Sequence, residues 1–337
     1  MYHVRFKGSY YEAGFKFGKN VLKSGKKLDH CPTFPLTKET YAFAKECEKA
    51  YRKYYPELLE EIQGIADGNE VPIETLEAML FSMYCIQFDN KCTCMALRSE
   101  DEIIFARNSD FLVSLEKLYM NCIYHLDESY GFMGNTTAFV QMEDGVNEHG
   151  LAVGLTFIYP KIKKPGFNCG MLVRYLLEKC KTTQEAIDAL HVLPIASAQT
   201  LTIIDRTGDM VAVECNPKQI VEIRPEESES FVAAANCFHS KEMQPYCNTT
   251  VDDWRAEERY ETAYQALKGH QKLYSVEYAE SILAGEHGFM CQYDRKTNAD
   301  TVWSVVYDLK RKRIYRVEGN PSRKPFKEDD RMKLSYA

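Results

Sequence analysis

Near residue 92 the spacing of apolar residues changes from a helical to a strand pattern, and that switch divides the chain. Upstream, Tyr41, Ala44, Cys47, Ala50, Tyr51 and Tyr54 recur three or four apart, and Leu58, Leu59, Ile62, Ile65 and Ala66 make a second stripe. Such spacing gives a helix one apolar face. Pro56 separates the stripes, and Pro72 sits where a further helix toward Cys85 can start. Ser9 and Glu12 suit a capping box for a helix reaching about Val21. Residues 1–90 therefore read mostly as helix, with a loop in LKSGKKLDHCPTFP.

Downstream, CTCMALR and EIIFARNSDF read as two strands around the turn SEDE. LYMNCIYHLD, TTAFVQME and GLAVGLTFI follow as strands, the last two joined by DGVNEHG. TLTIIDRTGDMVAVE, SFVAAANCF, TVWSVVYDL and RIYRVEG complete the strand set. Helices are expected over 168–191, where Thr182 and Glu185 suit a second capping box, and over 252–268 and 275–284. Runs of hairpins broken by helix pairs argue an α+β fold with mostly antiparallel sheets. Two sheets between helix layers fit this order. A length of 337 residues allows two domains or one large one.

Composition removes several function classes. A net charge of −7 makes nucleic acid or anionic membrane a poor partner. The basic run LKRKRIYR falls between two strands and reads as a hairpin turn. No stretch reaches the ~18 apolar residues of a membrane span, and the N-terminus shows no signal-peptide core, so the expected location is cytoplasmic. No GxGxxG or GxxxxGK[ST] loop is present, so no nucleotide cofactor is expected. The 12 cysteines are scattered and read mainly as buried thiols. Cys85, Cys92 and Cys94 lack a second ligand pair for zinc, and no metal is expected there.

The segment KCTCMALRSEDEIIFARNSDF carries the candidate chemistry. Cys92 begins one strand of a hairpin, and Arg107 and Asp110 end the other. A hairpin brings its outer ends together, which sets a thiol beside a cation and a carboxylate. A nearby cation favours the thiolate, the reactive form. No histidine flanks Cys92. His149 lies in the turn NEHG and reads as solvated, and His239 follows Asn236 by three residues.

CTCMAL upstream of RNSDF resembles the nucleophile motif of the acyl-CoA:isopenicillin N (6-aminopenicillanate) acyltransferase-like family. These are N-terminal-nucleophile hydrolases related to the choloylglycine hydrolases. SYYEAGFKFG, DGVNEHGLAVGL, MLVRYLLEKCKTTQEAIDAL, AANCFHS, RYETAYQAL and DTVWSVVYDL also resemble family segments, in family order. The resemblance implies a four-layer αββα sandwich made as a precursor and cut between Lys91 and Cys92. A helical segment 1–91 and a catalytic segment 92–337 would together form one structural domain. Cys92 would be the nucleophile, and its freed α-amine, with a reference pKa of about 7.7–8.0, the general base. Asp110 would orient that amine, Arg107 would favour the thiolate, and Asn236 would donate to the tetrahedral oxyanion. Arg259 and Asn147 would line the substrate site.

Two positions depart from the family pattern. Lys91 stands where a glycine is frequent, and Cys94 where a serine is frequent. The implied reaction is hydrolysis of a linear amide, or acyl transfer, through a Cys92 thioester and without a cofactor. Substrates would be small amides, N-acyl amino acids or peptides, or acyl-CoA. Two alternatives stay open: a choloylglycine-hydrolase-like amidase for larger amphipathic amides, and an uncleaved, catalytically silent binding protein of the same fold. Homo-oligomerisation is also left open.

Overall fold

The computed structural model describes residues 1–30, 34–85, 91–248, 250–270 and 274–334. Among the described residues, four helices precede residue 91: α1 (Tyr10–Lys23), α2 (Lys38–Tyr54), α3 (Pro56–Asn69) and α4 (Ile73–Ser82). Ser9 caps α1 by accepting from the Glu12 amide, while the Glu12 carboxylate takes the Ser9 hydroxyl rather than the cap backbone. Thr37 and Thr40 form a full capping box on α2. Pro56 starts α3, where a missing N–H costs nothing.

α1 and α3 touch backbone to backbone. A Cβ placed on Gly14 would lie 2.2 Å from the Glu61 carbonyl oxygen, and one on Gly64 would lie 2.2 Å from that of Tyr11. Gly18 and Gly68 repeat the contact one turn on, against Ile65 and Phe15. The spacings GFKFG and GIADG thus permit a helix approach that any side chain would block.

The strands are β1 (Tyr2–Gly8), β2 (Lys91–Arg98), β3 (Ile103–Leu112), β4 (Met120–Leu126), β5 (Phe132–Thr136), β6 (Asp144–Asn147) and β7 (Ala152–Ile158). β8 (Ala198–Ile204), β9 (Met210–Cys215), β10 (Ile220–Ile223), β11 (Phe231–Ala234), β12 (Ala299–Asp308), β13 (Arg313–Val317) and β14 (Lys327–Glu328) follow. They build an eight-stranded sheet, ordered β1-β4-β5-β6-β7-β8-β9-β10, and a six-stranded sheet, ordered β11-β2-β3-β12-β13-β14. Helices α5 (Cys169–Lys179) and α6 (Thr183–Val192) cover the larger sheet. Helices α7 (Ala256–Gly269) and α8 (Val276–Leu283) cover the smaller one. One core runs between the sheets and into α1–α6, and a second lies under α7 and α8. The layering is αββα, as expected.

The helical reading of residues 1–90 needs one correction. Residues 2–8 form β1, which pairs in parallel with β4, Tyr2 opposite Met120 and Gly8 opposite Leu126. Only Phe6 of this strand is buried, so the short segment carries almost no apolar alternation. TTAFVQME is not a strand either. Val140 takes a left-handed φ of 76°, and the Met142 amide donates to the Gly170 carbonyl. The Thr137 amide donates to Glu143 instead of to a ladder neighbour. β6 instead comes from DGVN, inside the expected turn. α7 begins at Ala256 rather than 252, because the Asp253 carboxylate accepts from the Ala256 amide and ends the preceding turn.

Helices α1, α3 and α5 converge on one buried cation. Arg174 donates to Glu61 at 2.8 Å, to Glu178 at 2.5 Å and to the Val140 carbonyl at 2.9 Å. Its guanidinium lies 3.8 Å over the Tyr124 ring. Tyr10 and Tyr55 donate to Glu178, and Tyr124 donates to Glu61. The described cysteines are all free, and all but Cys237 and Cys247 are buried; Cys31 lies outside the described residues. The KRK segment is the turn between β12 and β13. Among the described residues no helix is long and apolar enough to cross a membrane.

The helix contact yields a stability test. Gly14→Ala and Gly64→Ala should each cost about 1–3 kcal/mol, because the added methyl meets backbone that cannot move alone. Gly269→Ala has nothing within 4 Å of its new methyl and should stay within about 0.5 kcal/mol. Urea unfolding of the three variants checks the contrast.

Candidate active site

The β2–β3 hairpin positions the candidate residues through its register. Cys92 pairs with Ser109, Cys94 with Arg107, and Lys91 with Asp110. Side chains alternate faces along a strand, so the thiol, Arg107 and Ser109 point between the two sheets. Asp110, Asn108 and Thr93 point to the α7–α8 side, where Asn108 donates to the Leu283 carbonyl and Thr93 accepts from Arg259.

On the inner face Arg107 is fully buried and uses all its nitrogens. Nη2 donates to Cys92 Sγ at 2.7 Å and to Glu143 Oε2 at 3.1 Å. Nη1 donates to Asp144 at 2.9 Å, and Nε to the Leu155 carbonyl at 3.2 Å. Ser109 adds a hydroxyl donor to Glu143, and Trp303, Tyr307 and Asn135 all donate to Asp144. Thr137 donates to the other oxygen of Glu143.

This arrangement changes the expected effect of Arg107 on the thiol. The Cys92 pKa is pushed well up by burial. The Arg107 charge acts in the opposite direction but does not win, and Glu143 adds to the rise. With two carboxylates on one guanidinium, little positive charge is left for the sulfur. Burial therefore favours the neutral thiol over the thiolate at Cys92.

The backbone of Cys92 is gripped from the other side. Its amide donates to Asn236 Oδ1 at 2.8 Å, and its carbonyl accepts from Arg259 Nη1 at 2.6 Å. Asn236 Nδ2 donates to the Phe157 carbonyl at 2.7 Å, and Asn236 Oδ1 also accepts from Arg259 Nη2 at 2.9 Å. Arg259 reaches the site because its guanidinium also binds the Asp253 and Trp254 carbonyls, folding the entry to α7 over it. Asp110 accepts from Tyr293 at 3.0 Å and Thr301 at 2.6 Å and lies 3.7 Å from Arg259. Burial raises its pKa, and Arg259 opposes that rise most strongly.

Lys91 is 1% exposed. Its ammonium lies 4.7 Å from the Tyr159 ring centre and 5.5 Å from that of Trp254. Aromatic faces attract a cation in place of water, which lets this side chain be buried.

The structure therefore brings together Lys91, Cys92, Arg107, Asp110, Asn236 and Arg259. Asn147 is not among them. It lies on β6, but its amide donates to the Leu177 and Cys180 carbonyls at the end of α5, and its oxygen accepts from the His149 and Leu151 amides. Its side chain serves the turn and the helix end on the face of the sheet away from Arg107. Glu143 and Asp144 were not singled out from sequence. Their signal is two adjacent acids inside the apolar run AFVQMEDGV, a placement that demands a buried cation.

An apolar cavity of about 730 Å³ adjoins this region, with Met79, Met83, Phe111, Tyr119, Ala138 and Phe139 in its wall. Phe111 follows Asp110 on β3. Thr137, also in the wall, is the residue that donates to Glu143.

The model of the family described as acyl-coenzyme A:6-aminopenicillanic acid acyl-transferase matches residues 97–323, about two thirds of the chain. No curated protein matches by sequence. Among solved structures, a mutant of the conjugated bile acid hydrolase from Clostridium perfringens is similar, with a TM-score of 0.56 at 13% identity, over 71% of this chain and 92% of that one. The N-acylethanolamine-hydrolyzing acid amidase ortholog of Caenorhabditis elegans has a TM-score of 0.47 at 17% identity, over 65% and 93%. Penicillin V acylase from Agrobacterium tumefaciens has a TM-score of 0.46 at 18% identity, over 67% and 82%. The fold is that of the N-terminal-nucleophile hydrolases.

Two outcomes test the site geometry. Glu143→Gln removes one of the carboxylates that hold the Cys92 pKa up and should lower it. The pH profile of Cys92 alkylation, followed by peptide mass mapping, would move to lower pH. Asn147→Ala strands two carbonyls and two amides and should cost about 1–3 kcal/mol in urea unfolding, while Cys92 alkylation is unchanged.

Proposed function

The chain belongs to the acyl-coenzyme A:6-aminopenicillanic acid acyl-transferase family, and on that premise we propose that it is a self-processing cysteine amidohydrolase or acyltransferase. The observation that carries this reading is the three-sided hold on Cys92: sulfur on Arg107, amide on Asn236, carbonyl on Arg259.

Processing starts when Cys92 Sγ attacks the Lys91 carbonyl carbon. The Lys91–Cys92 C–N bond breaks, the thiol proton goes to the departing nitrogen, and water then hydrolyses the thioester. Cys92 is left with a free α-amine. That amine takes over the contact with Asn236 Oδ1, and with a reference pKa of about 7.7–8.0 it accepts the thiol proton near neutral pH. This answers the problem set by burial: the thiol acquires a base that Arg107 cannot replace. We assign Asp110 to orienting the amine, on the basis of its ladder pairing with Lys91 and its ion contact with Arg259.

In turnover the sulfur attacks an amide or thioester carbonyl. The second N–H of Asn236 Nδ2 donates to the oxyanion; one such donor is worth ~100–1,000-fold in rate. The leaving group takes the proton, and water or an acceptor amine releases the acyl group from Cys92. The apolar cavity beside Phe111 supports a hydrophobic acyl group in an amide of moderate size. The fragment ending at Lys91 and the fragment starting at Cys92 form one domain, supported by the β1–β4 ladder and the Arg174 network that cross the cut. A cytoplasmic location fits the many free thiols.

A second reading rests on Lys91, whose buried ammonium between two rings favours an uncleaved binding protein. Intact mass and amino-terminal sequencing separate the two. Processing predicts a second start at Cys92, both fragments co-eluting under native conditions, and a single full-length chain in Cys92→Ala with no turnover. Asp110→Asn should lower activity by orders of magnitude with little change in unfolding. A wild-type chain that reads only from Met1 and resists thiol-directed acylating probes establishes the binding protein.

A further inference from the structure

A second thiol lies one residue beyond Asn236 and takes no part in the chemistry above. Cys237 Sγ is 3.1 Å from His239 Nε2. One ligand atom each from Cys237, His239 and Glu257 lies within 4.8 Å of the other two. From this juxtaposition we infer that Cys237, His239 and Glu257 form a Zn²⁺ site, set between the loop that carries Asn236 and the first turn of α7.

Thiolate, imidazole and carboxylate are the three side-chain ligands that zinc takes, and tetrahedral coordination spaces such atoms by ~3.5 Å. The loop side of the site is already built. The His239 amide donates to Glu214 at 2.6 Å, and the Ser240 amide and hydroxyl donate to the same carboxylate. The His239 ring stacks on Tyr260 with centres 3.5 Å apart, which fixes its plane. Its Nε2 points at the sulfur, as a ligand nitrogen must. Glu257 is exposed on the helix and can close the remaining gap by side-chain rotation. Cys237 and His239 are half-buried, so an ion has a path in and a water can fill the fourth position.

The charge around the two thiols separates their roles. Cys92 Sγ already faces the Arg107 cation, which repels a metal ion. Cys237 faces the His239 ring nitrogen and the Glu257 carboxylate, whose charge acts on the thiol ahead of that of Arg259. As the zinc–sulfur bond forms, the Cys237 thiol proton passes to water. The site also lies where it can act on Cys92. Asn236 precedes one ligand, and Arg259 follows another by two residues, so bound zinc ties together the two segments that grip the Cys92 backbone.

The test uses the full chain, stripped with a chelator and titrated with Co²⁺ as an optical probe. One equivalent should give a thiolate-to-cobalt charge-transfer band, and excess Zn²⁺ should abolish it. Cys237→Ser and His239→Asn should each weaken binding by at least the ~10–100-fold that losing even an outer-shell partner costs. Cys92→Ala should leave the band in place. In the unaltered chain, Zn²⁺ should protect Cys237 from alkylation, read by peptide mass mapping. The proposal is overturned by the absence of a band at one equivalent, by a band that survives Cys237→Ser or vanishes in Cys92→Ala, or by Cys237 alkylating equally with and without zinc.

Discussion

The buried guanidinium of Arg107 is the constraint on which the interior is arranged. It sits on the smaller sheet and binds Glu143, Asp144 and the Leu155 carbonyl of the facing segments. A cation there without partners would be untenable, and two buried carboxylates without it equally so; breaking one such pair costs ~3–5 kcal/mol. The group therefore holds the sheets in one relative position, and Trp303, Tyr307, Asn135, Ser109 and Thr137 complete its hydrogen bonds. Cys92 joins this network as one more acceptor. Its sulfur is placed by a structure that would need Arg107 in any case.

That placement separates positioning from activation. Arg107 fixes where the sulfur lies, but its charge is shared with two acids, and burial pushes the thiol pKa up. A buried neutral thiol is inert toward most electrophiles. Under the proposed function, reactivity comes from creating a base at the same residue, and the hold on the Cys92 amide and carbonyl keeps that residue in register while the chain is cut. Under the same proposal the sulfur works between the sheets, while Arg259 on α7 and Asn236 after β11 hold the Cys92 backbone.

The Arg174 cluster plays the corresponding part for the helical layer. One cation gathers Glu61 from α3 and Glu178 from α5, with Tyr10, Tyr55 and Tyr124 closing the acceptors. With the β1–β4 ladder, it joins the segment before residue 91 to the rest by buried polar bonds as well as by apolar area.

Local patterns were enough for much of the fold. Stripes at helical spacing, the short apolar-rich runs of β2, β3, β7 and β12, and caps at Ser9 and Thr182 are short-range signals, and each element formed near its expected place. The hairpin also made Cys92 and Arg107 neighbours in advance, since a turn fixes register. β1 could not be read, because its partner β4 is remote in sequence and only Phe6 is buried. The loop at 137–143 kept its apolar alternation while its backbone was drawn away by Glu143 and Gly170. Alternation along β3 already sets Asp110, three residues from Arg107, on the face away from the thiol, but it could not say that Asn147 serves the end of α5. The sequence by itself determined which residues share a strand or a helix face, because those relations are set by chain geometry. Only the tertiary structure decided which buried charges meet, because a carboxylate chooses its cation across sheets and helices, and only it buried the Cys92 sulfur, which raises the thiol pKa more than Arg107 lowers it.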